Sequence, residues 1–191
     1  MQKDREIPTL IFGDSNRSVV ENARRVGLGA EWIDGDPMLA SPDAIVSPAN
    51  TVGEMSGGYD LEIRTKLGIG VEKTVMRSLR ESPLLLGQAR ALKTQSKIPW
   101  IIVVPTVVGK LAGSGGNTEI GSLQTKTPSR DVIENGAYNL MHEAFRHGIL
   151  RVGTVLLGGG VGGFNTAEAV QAMNEGYFRA YEEIDEILYG D

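Results

Sequence analysis

Two stretches of this 191-residue chain hold residue types that can do chemistry. The first runs from Asn50 to Asp60. Asn50 offers a donor and an acceptor on one short side chain and directly follows the apolar run Asp43-Ala44-Ile45-Val46-Ser47. Small or polar residues then lead to Gly57-Gly58, Tyr59 and Asp60. An acid behind a flexible glycine pair can orient or activate a water at a sugar carbon. Two plainer roles compete. Asp60 can cap a helix that starts at Leu61, and Asn50 can be a turn residue. The second stretch is Gly158-Gly159-Gly160-Val161-Gly162-Gly163-Phe164-Asn165, entered by an apolar run from Val152 to Leu157 and left by an amphipathic one from Ala167 to Leu188. Glycines let the backbone approach a ligand and adopt positive φ. The N-terminus of the helix behind them presents free N–H groups and partial positive charge, which suits phosphate. A tight turn without ligand is the alternative.

Other chemistry is poorly matched. Gly158, Gly160 and Gly163 fit the dinucleotide fingerprint, but a Rossmann unit needs a further strand after the helix, and none follows. Gly109-Lys110 is followed by Leu111, which breaks a P-loop. His142 and His147, five apart, do not share a helical face, so a structural role is expected of them. No metal and no cofactor is called for. The absence of cysteine excludes disulfides, Cys-ligated zinc and a Cys nucleophile. A net charge of -5 gives no general attraction to nucleic acid or anionic lipid. The longest apolar run, Ile98 to Val108, is interrupted by Pro99 and Pro105 and is too short to span a bilayer. Met1 to Glu6 shows no signal-peptide core. A soluble, cytoplasmic protein with no membrane association is expected.

The elements that must position these residues alternate. Strands are predicted at Thr9–Phe12, Ala30–Ile33, Asp43–Ser47, Gly87–Leu92, Trp100–Val104 and Val152–Leu157. Helices are predicted over Val19–Val26, Leu61–Leu67, Val71–Leu79, Asp131 to Gly148 and Ala167–Leu188. The turn Gly13-Asp14-Ser15-Asn16 holds a cap residue for the first helix, and Asn165, with Glu168 three residues on, starts the last one as a capping box does. The strand runs are apolar on both faces, as parallel strands between helical layers are. This implies an α/β three-layer sandwich, with ligands at the carboxyl ends of strands. The loops Asp34–Pro37, Pro48–Asp60 and Gly158–Asn165 all follow strands and are expected to meet at one crevice. Residues 109–128 are rich in Gly, Ser, Thr and Lys, lack apolar periodicity, and read as a long functional or mobile insertion.

In this order the motifs resemble the macro domain, the ADP-ribose-binding module. The resemblance covers most of the chain and implies a single domain over residues 1–191, with an α/β/α sandwich around a mixed, mostly parallel sheet. Gly35-Asp36 is similar to the family's Gly-Asp, so Asp36 would accept from the adenine amino group. Ala44-Ile45-Val46-Ser47-Pro48-Ala49-Asn50 resembles the strand that ends in Asn-Ala-Ala-Asn, which implies that Ala49 lines the ligand and Asn50 contacts the distal ribose. Met55-Ser56-Gly57-Gly58-Tyr59-Asp60 resembles Gly-Gly-Gly-Val-Asp. It makes Gly57 and Gly58 ligand contacts and Asp60 the residue implicated in water activation. Gly158, Gly159, Gly160, Val161, Gly162 and Gly163 would hold the diphosphate, and Phe164 would pack near the distal ribose. Ser47-Pro48, Met55-Ser56 and Gly163-Phe164-Asn165 depart from the common pattern. The implied ligand is ADP-ribose or an ADP-ribosylated macromolecule. The implied activity is hydrolysis of mono-ADP-ribose linkages or related esters. A non-catalytic reader, or an assembly protein that keeps the fold without ligand, are the alternatives.

Overall fold

The computed structural model describes residues 6–109, 128–160 and 163–190. Six strands form one sheet: β1 (Thr9–Asp14), β2 (Ala30–Asp34), β3 (Ala44–Ser47), β4 (Arg90–Lys93), β5 (Trp100–Val103) and β6 (Arg151–Thr154). Their spatial order is β2-β1-β6-β3-β5-β4. Every pairing is parallel except the edge strand β4, which runs antiparallel to β5. The register is set with Val152 of β6 beside both Leu10 and Ala44.

Five α-helices cover the two faces: α1 (Arg17–Val26), α2 (Gly58–Leu67), α3 (Ile69–Glu81), α4 (Arg130–His147) and α5 (Thr166–Tyr189). The pleat divides the core between them, because successive strand residues point to opposite faces. Leu10, Phe12, Ala44, Val46 and Ile102 join Ala23 of α1, Leu140 of α4 and Met173 of α5 in one cluster. Ile45, Ile101 and Val103 join Ile63 of α2 and Val75 of α3 in the other. The chain therefore adopts the expected α/β sandwich with a mixed, mostly parallel sheet. α4 and α5 approach closely at Gly176, where a Cβ would lie 2.0 Å from the Glu134 carbonyl oxygen. Any larger residue there forces the two helices apart.

The caps explain the helix boundaries. Asn16 and Asn165 accept from the backbone N–H of Ser18 and Glu168, and Gly27 and Gly148 close α1 and α4 in the left-handed conformation. Three elements differ from expectation. β4 begins at Arg90 rather than Gly87, which sits at φ +78° in the turn before it. β6 ends at Thr154, because its β1 pairing stops at Phe12–Thr154 while the apolar run continues. Residues Val155, Leu156 and Leu157 stay buried but leave the ladder. α2 begins at Gly58 rather than Leu61, so Asp60 lies inside its first turn and does not cap it. Of the insertion, only Gly109 and Pro128 fall among the described residues.

Candidate functional site

The parallel strands β1, β6, β3 and β5 release their chains at the same edge of the sheet. A cleft of about 740 Å³ opens there. Its walls are the β1–α1 turn at Asp14–Asn16, the β3–α2 loop from Pro48 to Asp60, the segment Thr106–Gly109 after β5, and Val155–Gly160 after β6, with Thr166 at the start of α5. The loops after β3 and β6 meet as expected, and two segments not foreseen from sequence complete the cleft. The Asp34–Pro37 loop does not line it.

The β3–α2 loop is built by side chains. Asn50 Oδ1 accepts from the backbone N–H of Val52 at 3.0 Å, Gly53 at 2.8 Å and Glu54 at 3.3 Å. Its Nδ2 donates to the Glu54 carbonyl at 3.0 Å. The asparagine thus closes its own turn, and one Nδ2 hydrogen remains for a ligand. The backbone around it is zipped to the β5 exit: Thr51 N–H donates to the Val107 carbonyl, and Gly109 N–H to Thr51 Oγ1. Further on, the Met55 N–H donates to Glu72 Oε1 at 2.8 Å. Glu72 comes from α3, is 7% exposed, and faces Arg64 at 3.5 Å.

Asp60 is 6% exposed and lies at the cleft wall. Ser47 Oγ, fully buried at the end of β3, donates to Asp60 Oδ1 at 2.6 Å. Burial pushes the Asp60 carboxyl up to about 7, the Ser47 hydrogen bond opposes the rise, and the negative charge of Glu72 adds to it. Desolvation disfavours the charged form of an acid, and a like charge does the same.

Asp36 is held outside the cleft. It caps a single 3-10 turn by accepting from Met38 N–H at 2.9 Å, accepts from the Tyr59 hydroxyl at 2.6 Å, and pairs with Lys66. Burial raises its pKa, but these hydrogen bonds outweigh burial and hold the carboxyl below its usual range. Burial and the Asp36 contact push the Tyr59 phenol up. Tyr59 itself reaches the cleft wall, so Asp36 braces this loop from behind.

The β6–α5 loop is built by backbone. Gly158 at φ +75° and Gly163 at φ +62° occupy the left-handed region. Gly163 N–H donates to the Gly160 carbonyl at 3.0 Å, and Phe164 N–H to the Gly158 carbonyl at 3.3 Å. Gly158, Gly159 and Gly160 line the cleft, with Gly159 and Gly160 exposed. Val161 and Gly162 lie outside the described residues. Gly163 and Phe164 do not line the cleft, and Phe164 packs half-buried against the α1–α4–α5 core. Ala49 is buried in the opposite core and is not a wall residue. Gly57 and Gly58 line the cleft. His142 and His147 stack on Tyr138 and Trp100, away from it.

A family model described as the macro domain matches residues 46–173, from β3 through the first turns of α5. The chain belongs to the macro domain family. No curated protein matches the chain. Among solved structures, the macrodomain of Mycobacterium tuberculosis DarG aligns with a TM-score of 0.61 at 18% identity, over 80% of this chain and 89% of that one. The Trypanosoma brucei macrodomain in complex with ADP-ribose gives 0.55 at 19% identity, over 75% of this chain and 53% of that one. Thermosipho africanus DarTG in complex with ADP-ribose gives 0.58 at 15% identity, over 85% of this chain and 49% of that one. Likeness at these identities is likeness of fold. Among the described residues of this macro domain, no helix is long and apolar enough to cross a membrane.

Sequence reasoning missed Glu72 and the β1–α1 wall. Glu72 had a readable signal, since it falls on the stripe of α3 that buries Val75 and Leu79. A carboxylate on an apolar stripe needs a buried partner. The Asp14–Asn16 turn had no such signal beyond its cap.

Proposed function

We propose that this macro domain binds ADP-ribose in the cleft at the carboxyl edge of the sheet and hydrolyses mono-ADP-ribose linkages or related esters. One observation carries the reading. A buried acid, Asp60, and a glycine loop leading into α5 line one cleft, in a family with solved members in complex with ADP-ribose. Backbone N–H groups of Gly158, Gly159 and Gly160, which line the cleft, take the diphosphate, which needs no lysine and lets an acidic protein hold an anion. Gly57 and Gly58 allow close approach elsewhere along the cleft, with Ala49 buried behind them. Asn50 contacts the distal ribose through its remaining Nδ2 hydrogen. Asp60 orients the attacking water or exchanges a proton with it. Asp36 Oδ2 keeps a lone pair for the adenine amino group beside Lys66, and Phe164 shapes the ribose end of the loop from behind. The ligand is ADP-ribose or an ADP-ribosylated macromolecule, and the setting is cytoplasmic.

Calorimetric titration with ADP-ribose, with AMP and ADP as controls, tests the binding step. Saturable binding that requires the distal ribose supports the reading, and no binding at millimolar ligand rejects it. Turnover of an ADP-ribosylated protein tests the chemistry. Asp60→Ala is expected to bind ADP-ribose and release none of it from the acceptor. Equal turnover by wild type and Asp60→Ala would leave a reader only.

A further inference from the structure

Beneath the cleft, three polar side chains are buried together from three elements: Ser47 at the end of β3, Asp60 in the first turn of α2, and Glu72 in α3. Ser47 and Glu72 are shut away from solvent, and only Asp60 lines the cleft. The Ser47 hydroxyl clamps Asp60 Oδ1 at 2.6 Å, which leaves Oδ2 as the oxygen that can carry a proton. Glu72 Oε1 accepts the Met55 N–H at 2.8 Å and faces the Arg64 guanidinium at 3.5 Å. The negative charge of Glu72 makes a second one on the buried Asp60 carboxyl costly. We propose that Ser47 and Glu72 are positioning residues with opposed effects on Asp60, so that Asp60 meets the ligand as a neutral carboxylic acid, a hydrogen-bond donor.

This rests on the reading that the cleft takes ADP-ribose. It changes what Asp60 does there. A carboxylate beside a diphosphate repels it, whereas a neutral acid adds no negative charge and can donate to a ribose or phosphate oxygen. The titratable and charged neighbours all bear on the outcome. From β3 there is only the Ser47 hydroxyl. From α3 there is Glu72. Along α2, Arg64 lies one turn on and is paired with Glu72. Tyr59, Glu54 and Glu62 line the same cleft. The charge of Glu72 favours a proton on Asp60, and the Ser47 hydrogen bond opposes it. Burial is the largest effect, acts in the same direction as Glu72 and brings the Asp60 midpoint up to about 7.

The two supports pull in opposite directions, which a merely structural role does not reproduce. Carboxyl carbon NMR of selectively labelled aspartate in the full chain, titrated from acid to pH 9, reads Asp60 directly, with Asp60→Asn assigning the resonance. Ser47→Ala removes a donor to the ionised form, so the midpoint is expected to rise by about one pH unit. Glu72→Gln keeps an acceptor for Met55 N–H but removes the charge, so the midpoint is expected to fall by about as much. ADP-ribose, whose diphosphate charge is constant over this range, is expected to bind roughly tenfold more weakly at pH 8.5 than at pH 5.5, with Asp60→Asn flat across it. A wild-type midpoint in the ordinary aspartate range, or movement of both variants in one direction, overturns the proposal. Should Glu72→Gln not fold, the wild-type midpoint and Ser47→Ala still decide. If the midpoints move apart as stated but ADP-ribose does not bind at any pH, the positioning roles stand and the ADP-ribose reading fails.

Discussion

The two loops that face each other across the cleft are held by opposite means. The β3–α2 loop is fixed by side chains: Asn50 gathers three backbone N–H groups, Glu72 grips Met55, and Ser47 holds Asp60. The β6–α5 loop is fixed by the absence of side chains, with glycines in left-handed conformations and two backbone hydrogen bonds. The difference sorts their failures. Removing atoms damages the first loop, and adding atoms damages the second. It also sorts their chemistry, since titratable groups stand on the first wall while the described part of the second offers backbone dipoles.

Removing the buried charge should give the largest effect. Asp60 is raised from 3.8 to about 7 in the folded chain. Between those values the folded state holds a proton that the unfolded state has lost, so stability is complete below pH 4 and falls as pH rises through 7. The full loss is up to about 4 kcal/mol. Asp60→Asn should match wild type near pH 4 and exceed it by roughly 2–4 kcal/mol at pH 8, read by denaturant melts at both pH values. A wild type with no pH slope in this window would show that Asp60 is ionised throughout. Asn50→Ala comes next. It strands three N–H groups at a half-buried turn and should cost about 3 kcal/mol. Asn50→Asp keeps the accepting oxygen and should recover most of that, although it adds a charge. If alanine and aspartate behaved alike, the turn would not depend on Oδ1.

The contrast also explains what could be read beforehand. The layers were legible because β1, β3 and β5 are apolar on both faces and α1, α4 and α5 carry long apolar stripes, the first two ended by Gly27 and Gly148. The cap at Asn165, and a cap within Gly13 to Asn16, were legible because capping is local. The glycine loop was legible for the same reason, as a local lack of side chains between strand and helix. The wiring of the first loop was not. Tyr59 and Lys66 meet Asp36 across separations of 23 and 30 residues, and no spacing rule links them. The start of α2 was missed because Gly57, Gly58 and Tyr59 give no apolar period. Asn50 and Asp60 were singled out by type, but the resemblance could not say that Asn50 closes its own turn or that Ser47 sits under Asp60.

Addition of a single carbon should test the second loop. Gly158 is buried at φ +75°, and a Cβ there would lie 2.8 Å from both Ile133 Cδ1 and Pro128 Cγ. Gly158→Ala should therefore cost about 2 kcal/mol through strain and contact. It should also weaken ADP-ribose binding at least tenfold, because the loop's N–H groups would no longer converge. Gly160 has open space where its Cβ would be, and Gly160→Ala should change stability little. If both variants behaved as wild type in melts and titrations, the loop would be tolerant and the comparison between the walls would collapse.

The smallest effect is expected where the first loop is braced from outside. Tyr59→Phe deletes one donor to Asp36 but leaves Met38 N–H and Lys66 in place, so the carboxylate stays satisfied. The ring keeps its packing against the α2–α3 core. A loss of about 1 kcal/mol is expected, with ADP-ribose affinity within a few-fold of wild type. Lys66, whose side chain is 41% exposed, should contribute no more than that when changed to Met, since water screens the pair. The two together are informative. With both gone, only the Met38 N–H still restrains Asp36, so the double variant should lose more than the sum of the singles. Additive losses would mean that Asp36 braces each neighbour independently, and that the first loop draws its order from Asn50 and Glu72 alone.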